Sequence, residues 1–554
     1  GDFDAAENLF NKMIEQGHFK DDQSTISQLC HRLSQSYLAT GKLDQAFKAQ
    51  QRFSIIARHI GDQHAQATSL HQLAAIQRQQ LSWPAARKSL LEAYPIAAQV
   101  ADRKLLSDIE LDLAELAVLL HQNEEAWKYL AAALPLKEAI ADRAGWVKGL
   151  HLQGQLFVAE GRPDQALTSY GRAVAVLEEL AAGAGEISRQ AKTAFFQQFA
   201  HLYREYIELL IRRFESTLDP NYHLQAFQIA EQARSRVFSE MLMEARASDT
   251  FAATVADPDF KALLVRDRFA TLEIATLERQ LQQIKAKADP AEPQALNVRI
   301  GKLKLAHQEL QDSLRTRYPR YIDLKMPKPM RIQDVQALLD PNEAALSYFV
   351  MPRRTALWAI TRDTVDLFLL PQSREELIRQ SESYRQTFAS IANELAHGTE
   401  AGLRQVFLKH HAQPAHALYR NLVAPAEASL RGKRHVFLAP DDLLYKVPFE
   451  TLLTQPFSSN KSADVSVIGI EWQTAPFWVN SHAITYLPSL SVLRSLRQFG
   501  KAAVPAQRPL IAFADPDFGS SGAAPQSVNR AATRSAILHA LKARRAMTGV
   551  TLPP

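Results

Sequence analysis

A thiol nucleophile needs a cysteine beside a base, and this chain of 554 residues has one cysteine, Cys30. Cys30 falls at an apolar position of a predicted helix, a core place rather than a reactive one. His31, His71 and His151 do not stand at metal-ligand spacing with one another. His410, His411 and His416 cluster near the start of another predicted helix. No cysteine or suitably spaced acid accompanies them, so they read as surface histidines. Asp441 and Asp442 resemble a carboxylate pair, but they follow Pro440 at the end of an apolar run and suit a turn or helix cap. No Gly-rich phosphate loop of either common form is present. The residues therefore assign no catalytic group, no metal ligand and no cofactor.

The elements that would carry a site are better marked. The length calls for three or four packing units, and 46% hydrophobic with 22% charged residues is ordinary for a globular chain. A net charge of +5 is spread along the sequence without a basic block, which argues against direct nucleic-acid binding. No apolar run reaches the length of a membrane span. One cysteine forbids an internal disulfide and favours a reducing compartment, so we expect a cytoplasmic protein.

Internal periodicity organises the first third. Ala6, Ala46, Ala86, Ala126 and Ala166 stand 40 residues apart, and so do Asp22, Asp62, Asp102 and Asp142. Gly1, Gly41 and Gly161 keep the same phase. Within a unit Leu29, Leu33, Tyr37 and Leu38 form a helical stripe, and the small residues Ser34, Ala74, Ala114 and Gly154 recur beside it, which lets two helices approach closely. A second helix carries the Ala166-type residue and a bulky partner such as Phe53. Each helix pair leaves an apolar face that only a neighbouring pair can cover. The phase puts Gly1 in the turn of a unit, so we expect that unit to lack its first helix and the chain to begin inside a longer protein.

The order small residue, aromatic, turn Gly, Ala (Ser34, Tyr37, Gly41, Ala46; Gly154, Phe157, Gly161, Ala166) resembles tetratricopeptide repeats. HEAT-type repeats have a similar period, so the resemblance rests on the motif. The unit is about six residues longer than the usual ~34, and the extra length is expected around the Asp column. In such solenoids the first helix of each pair lines a concave groove. By motif position the resemblance points to Gln28, His31, Gln35, Thr68, His71, Arg78, Asp108, Glu115, Lys148, His151 and Gln155 as a groove for a protein or peptide partner. A solvated helix face would be equally polar.

After residues 1–182 the period loosens. A helical connector is expected over 183–318, with stripes Tyr203–Tyr206–Leu209–Leu210 and Ala226–Ile229–Ala230–Ala233 broken at Asp219–Pro220. A long hairpin follows, with seams Leu277–Leu281–Ile284 and Ile300–Leu303–Leu310–Leu314 about a turn at Asp289–Pro293. His307 lies on that seam as a tolerated residue. The pattern then predicts strands over 344–350, 355–361 and 365–370 as an antiparallel meander. Helices over 375–394 and 402–430 precede a buried strand at 435–439.

Five segments carry a second resemblance: Leu418–Pro425, Ala439–Pro440–Asp441, Leu444–Glu450, Ile484–Ser489 and Leu510–Gly519, which includes Ala514–Gly519. Their order is similar to the first half of CHAT domains, of the caspase and separase clan, and Ala230–Arg236 looks like the helix that precedes such domains. The expected fold is mainly α: a tetratricopeptide-like solenoid, a helical-hairpin connector, then an incomplete caspase-like α/β CHAT domain over 319–519. A linker and basic helix occupy 520–554. The family implies a cysteine endopeptidase whose His and Cys follow later strands. Neither motif occurs here, so the resemblance implies a regulatory N-terminal portion, inactive alone. The alternative is a non-enzymatic interaction scaffold.

Overall fold

The computed structural model describes residues 23–183, 189–246, 258–285, 291–318, 330–397, 412–457 and 475–499. The unit holding Gly1, the segment Leu510–Gly519 and the basic helix expected within 520–554 lie outside them. The chain opens with helices α1 (Gln23–Ala39), α2 (Leu43–His59), α3 (Gln63–Gln79), α4 (Trp83–Val100), α5 (Arg103–Leu119), α6 (Asn123–Ala139), α7 (Arg143–Ala159) and α8 (Pro163–Gly183).

One backbone device makes the turns between these helices. Gly41, Gly61, Leu81, Ala101, His121, Ala141 and Gly161, spaced 20 residues apart, all have φ between 56° and 74°. At Gly41 the closure is explicit: its N–H donates to Leu38 O at 3.2 Å and the Lys42 N–H to Tyr37 O at 2.9 Å. Such a left-handed cap satisfies the last helical carbonyls. Glycine takes it without strain, whereas Leu81 and His121 take it at a cost of about 1–2 kcal/mol each.

The turn geometry thus repeats every 20 residues, and the sequence every 40 because the two helix starts differ. Asp62, Asp102 and Asp142 cap the first helix of each pair, accepting from the Ala65, Leu105 and Gly145 N–H groups at 2.9, 2.9 and 3.0 Å. Lys42, Ser82 and Gln122, before the second helices, make no side-chain cap bond. The expectation that extra length sits around the Asp column is corrected. The connections on both sides are equally short, so the length lies in the helices, 17 or 18 residues each from α1 to α7.

The small column does what its spacing implies. Ala74 and Ala114 are fully buried, as are Ala46, Ala86, Ala126 and Ala166, and Cys30 is core at 2% exposure. At Gly154 a Cβ would sit 2.2 Å from the Tyr170 ring, so α7 and α8 touch backbone to aromatic face.

Two connector helices follow, α9 (Arg189–Thr217) and α10 (Pro220–Arg246). Leu218 turns left-handed between them, and Asp219 Oδ1 accepts the Asn221 N–H at 2.9 Å. The hairpin is α11 (Pro258–Lys285) with α12 (Ala291–Arg317), so Ala291–Pro293, expected in the turn, already belong to α12. Leu277, Leu281 and Ile300 are buried in its seam. His307 is more than tolerated there: its Nε2 lies 2.9 Å from Oδ1 of buried Asp267, beside Thr271 and Gln311.

A short helix α13 (Ile332–Gln336) leads to the sheet: β1 (Glu343–Val350), β2 (Thr355–Thr361), β3 (Val365–Leu370), β4 (His435–Ala439) and β5 (Ala483–Tyr486), in spatial order β3-β2-β1-β4-β5. The meander β1–β2–β3 is antiparallel as expected, with Ser347 opposite Trp358 and Leu357 opposite Phe368. β1–β4 and β4–β5 are parallel. Helices α14 (Arg374–His397), α15 (Gln413–Leu422) and α16 (Glu427–Leu430) lie between β3 and β4, and α17 (Ser491–Phe499) follows β5. The single helix expected through Leu430 is interrupted after Leu422, because Pro425 offers no N–H and forces a 3-10 turn at Ala424–Ala426.

The sheet is buried on both faces. Leu346, Tyr348, Leu357, Val436 and Leu438 pack towards α14 and α15. Ala345, Phe349, Trp358 and Phe437 join the other core, which runs without a break through α10, α9 and α8 to Leu150. The last repeat, the connector and one sheet face therefore share one hydrophobic interior.

Gly154→Ala should lower stability by about 1–3 kcal/mol through overpacking against Tyr170, although the gain in helix propensity is worth about 1 kcal/mol. Urea denaturation of the full chain measures this; equal or raised stability would mean that α7 and α8 separate at little cost.

A candidate partner groove and its joint to the sheet

The expected groove residues lie on α1, α3, α5 and α7, and all but Arg78 fall in columns that the 40-residue period stacks: 28/68/108/148, 31/71/151 and 35/115/155. The side chain of Gln28 lies outside the described residues. Gln35 is exposed and Thr68 half-buried. His31 has Gln35 Nε2 at 3.0 Å and the Phe53 ring at a centroid distance of 5.2 Å, so it belongs as much to packing as to a groove.

His71, Arg78, Glu115 and Lys148 meet in an ion network between units. Arg78 reaches Asp112 at 3.0 Å and Glu115 at 2.6 Å, and Lys148 reaches the same two acids at 2.6 and 2.7 Å. His71 Nε2 lies 2.9 Å from Asp112. Three successive first helices thus converge on Asp112, a residue that sequence reasoning passed over although it stands one turn beyond Asp108. Burial alone would raise its carboxyl, but Lys148, His71 and Arg78 outweigh this and hold it well below the usual range.

A second cluster closes the last repeat on the connector. Glu205 on α9 receives His151 at 2.9 Å, Gln155 at 3.0 Å and the Tyr170 hydroxyl at 3.1 Å. Glu205 lies outside the repeat and could not be found from periodicity. Asp108 pairs with Lys104 at 2.9 Å and with fully buried Lys137, which also holds Asp142 at 2.7 Å. Between these groups lies a cleft of about 270 Å3, lined by His71, Lys104, Asp108, Asp112, Asp142 and Lys148. Its charges are already paired with one another. Among the described lining residues no unpaired charge block is offered.

Other sequence candidates separate. Asp441 and Asp442 are not a pair: Asp441 Oδ2 accepts the Val350 N–H at 2.7 Å, tying β4 to the end of β1, while Asp442 binds Arg374 at 2.5 Å. Asp441 stands at the N-cap of the 3-10 turn Asp442–Lys446, as a turn or cap residue would, but its side chain makes no cap bond there. His416 Nδ1 lies 3.1 Å from Leu453 O; His410 and His411 are outside the described residues. Among the described residues no group of three or more His, Cys, Asp and Glu is placed for a metal ion, and no helix is long and apolar enough to cross a membrane. Burial pushes the Cys30 thiol up, the reverse of activation.

The connector carries the joint. On α10 Glu231 is fully buried and Arg234 nearly so. Arg234 binds Glu231 at 2.7 Å and Ser347 Oγ at 2.6 Å, and donates to the Tyr348 carbonyl. The other Glu231 oxygen accepts the Ser491 N–H at 3.3 Å, at the start of α17. One charge pair therefore fixes the connector, the central strand and the helix after β5. Arg354 adds a second tie from the β1–β2 turn to Glu215 of α9, at 2.6 and 2.8 Å.

Arg234→Met should cost about 3–5 kcal/mol, because it strands the buried Glu231 charge. The double variant Glu231→Leu/Arg234→Met should regain most of that in chemical denaturation, and strict additivity would show that the two do not act as a pair. A different buried acid sets a pH dependence. Burial pushes Glu110 up to about 7 from 4.5, although the Tyr94 hydroxyl and Lys137 pull the other way. A folded-state pKa above the unfolded one gives stability that is present at low pH and lost as pH rises through the folded value. Melting temperature should therefore fall from pH 5 to pH 8, with a smaller fall in Glu110→Gln; identical pH profiles would exclude Glu110 as the cause.

Comparison with known proteins gives a family match in the last part of the chain. A family model described as the CHAT domain matches residues 412–550, which take in α15, α16, β4, β5 and α17. Solved structures with similar regions include BtubC (BKLC) from P. vanneervenii, 15% identical with a TM-score of 0.35, covering 43% of this chain and 92% of that one. A Rap protein complexed with competence and sporulation factor is 15% identical, TM-score 0.27, with 51% and 76% covered. A tetratricopeptide repeat protein from Parabacteroides merdae is 15% identical, TM-score 0.24, with 51% and 99% covered. No curated protein matches the chain. At those scores the repeat assignment rests on the hairpins themselves, with their 40-residue period, capping aspartates and small-residue column. The chain joins a run of tetratricopeptide-like helical hairpins, through a helical connector, to a CHAT domain.

Proposed function

We propose that this chain is the partner-receiving, N-terminal portion of a CHAT-type cysteine peptidase. In this reading the concave face of α1, α3, α5 and α7 receives a protein or peptide segment, and the catalytic His and Cys belong to sequence beyond Pro554. The observation that carries it is the shared interior: the last repeat, α9, α10 and the sheet form one core locked by Glu231 and Arg234. A partner that changed the curvature of the repeats would act on the sheet through packed side chains rather than through a loose linker.

The chemistry follows from the family. A thiolate attacks the scissile carbonyl, and an imidazole takes and returns the proton. Cys30 cannot fill that role: it is core in α1, away from any described strand, with a thiol held protonated by burial. The described part of the CHAT domain would then act as scaffold. The parallel strands β1, β4 and β5 offer the edge on which further strands and their loops would be laid.

The test has two arms. The purified chain should not hydrolyse fluorogenic casein in an iodoacetamide-sensitive way. A version extended along the natural reading frame by about 100 residues, within the span of an ordinary domain, should do so through a new His and Cys. Thiol-dependent turnover by the present chain, or an extension without that dyad, would overturn the peptidase reading. For the groove, 12-residue peptides selected by phage display on the full chain should lose at least about tenfold in affinity, ~1.4 kcal/mol, on Gln35→Glu/Lys104→Glu. Unchanged affinity would place their site elsewhere.

A further inference from the structure

The hairpin α11–α12 buries one face of each helix in its own seam, and α11 has a second apolar stripe on its back. Phe260, Asp267, Ile274 and Leu281 point into the seam at heptad spacing. Val265, Phe269 and Leu272 point the other way and are 51%, 71% and 48% exposed. Their i, i+4, i+7 spacing is that of a helix-packing face, and large exposed side chains in line mark an interaction surface more often than scattered ones do. Among the described residues none covers this stripe.

We propose that this stripe is a homodimer interface, in which α11 packs antiparallel on α11 of a second copy with Phe269 at the two-fold axis. The argument is the arrangement of charge. On a helical wheel centred on Phe269, at 100° per residue, Val265 and Leu272 fall on one flank and Arg266 and Glu273 on the other. Arg266 lies about 4.5 Å along the axis on one side of Phe269 and Glu273 about 6 Å on the other, at ~1.5 Å per residue. A two-fold axis through Phe269 reverses one helix and keeps both charged flanks on the same side. It therefore sets Arg266 beside the second copy's Glu273, Glu273 beside its Arg266, and Val265 beside its Leu272. Antiparallel pairing about this axis makes two opposite-charge contacts and a continuous apolar flank from one patch, which is what an isologous interface requires.

A parallel pairing in register would swap the flanks and set Arg266 against the second copy's Val265 and Glu273 against its Leu272, with no opposite charge for either. Glu273 already meets Arg299 of its own α12 through Oε1 at 2.9 Å, and both groups are largely exposed. That contact leaves the second carboxylate oxygen for a partner. Three apolar side chains per copy make a small interface, so association should depend on concentration.

Sedimentation velocity of the full chain, from about 1 to about 500 μM, reads this directly. The expected result is a reversible monomer–dimer equilibrium that Phe269→Glu abolishes; Leu272→Lys is the second probe of the same face. Circular dichroism should show unchanged helicity, because both positions are exposed. Arg266→Glu alone and Glu273→Arg alone should each weaken dimerisation at least about tenfold, ~1.4 kcal/mol. The double exchange should restore it, because each copy then offers the reversed pair to its mate. Arg299→Ala, which removes only the internal contact, should leave the equilibrium in place. A monomer at every concentration, or dimers indifferent to Phe269→Glu and Leu272→Lys, would overturn the interface. Failure of the double exchange to restore dimers would overturn the antiparallel register.

Discussion

Glu231 and Arg234 stand one turn apart on α10, the first fully and the second nearly buried, and three separate pieces of chain are organised around them. Arg234 spends its donors on Glu231, on the Ser347 hydroxyl and on the Tyr348 carbonyl; Glu231 spends its second oxygen on the first N–H of α17. Such a pair repays its desolvation only when nearly every lone pair and proton finds a partner. Its geometry therefore constrains where β1 and α17 can sit relative to the repeats. The apolar core around it, from Phe227 and Trp358 to Leu493, supplies the driving force but little direction. The charge pair supplies the register.

The repeat array uses charge in a different way. From α3 onward its first helices are bridged across inter-unit gaps by groups of opposite sign: Arg78 and His71 to Asp112, Lys148 to Asp112 and Glu115, His151 to Glu205. These contacts add to polar ties between units elsewhere, such as Arg87 to Glu125 and Gln50 to the Ser69 carbonyl, so this face is also a stiffening seam. A face built this way presents a neutral, polar and shaped surface.

The hairpin follows the same rule at smaller scale. An all-apolar seam between α11 and α12 would allow the helices to slide by a heptad. The buried Asp267–His307 contact, with Thr271 and Gln311, specifies one alignment, since any other would bury a carboxylate without a partner.

Much of the fold was legible before any coordinates. The 40-residue period, the small column and Gly154 determined antiparallel helix pairs, because close helix contact leaves few residue types possible at one position. The break at Asp219–Pro220 was readable from proline chemistry, and the strands at 344–350, 355–361 and 365–370 from β-branched and aromatic runs bounded by turn residues. The candidate groove was legible only as a set of positions. Periodicity locates columns on a helix, but it carries no information about which charges meet across a gap, so Asp112 as the hub and Glu205 as the closing acid were not visible. Asp441 and Asp442 looked like neighbours with one role, and the tertiary fold sends one to β1 and the other to α14. Composition and local spacing by themselves determined the elements and their period, since those depend on contacts within about one helical turn or one strand pair. Only the tertiary structure decided the partners of Glu231, Arg234 and Asp112, because buried charges are satisfied by whatever the packing brings alongside, from residues up to 260 positions away.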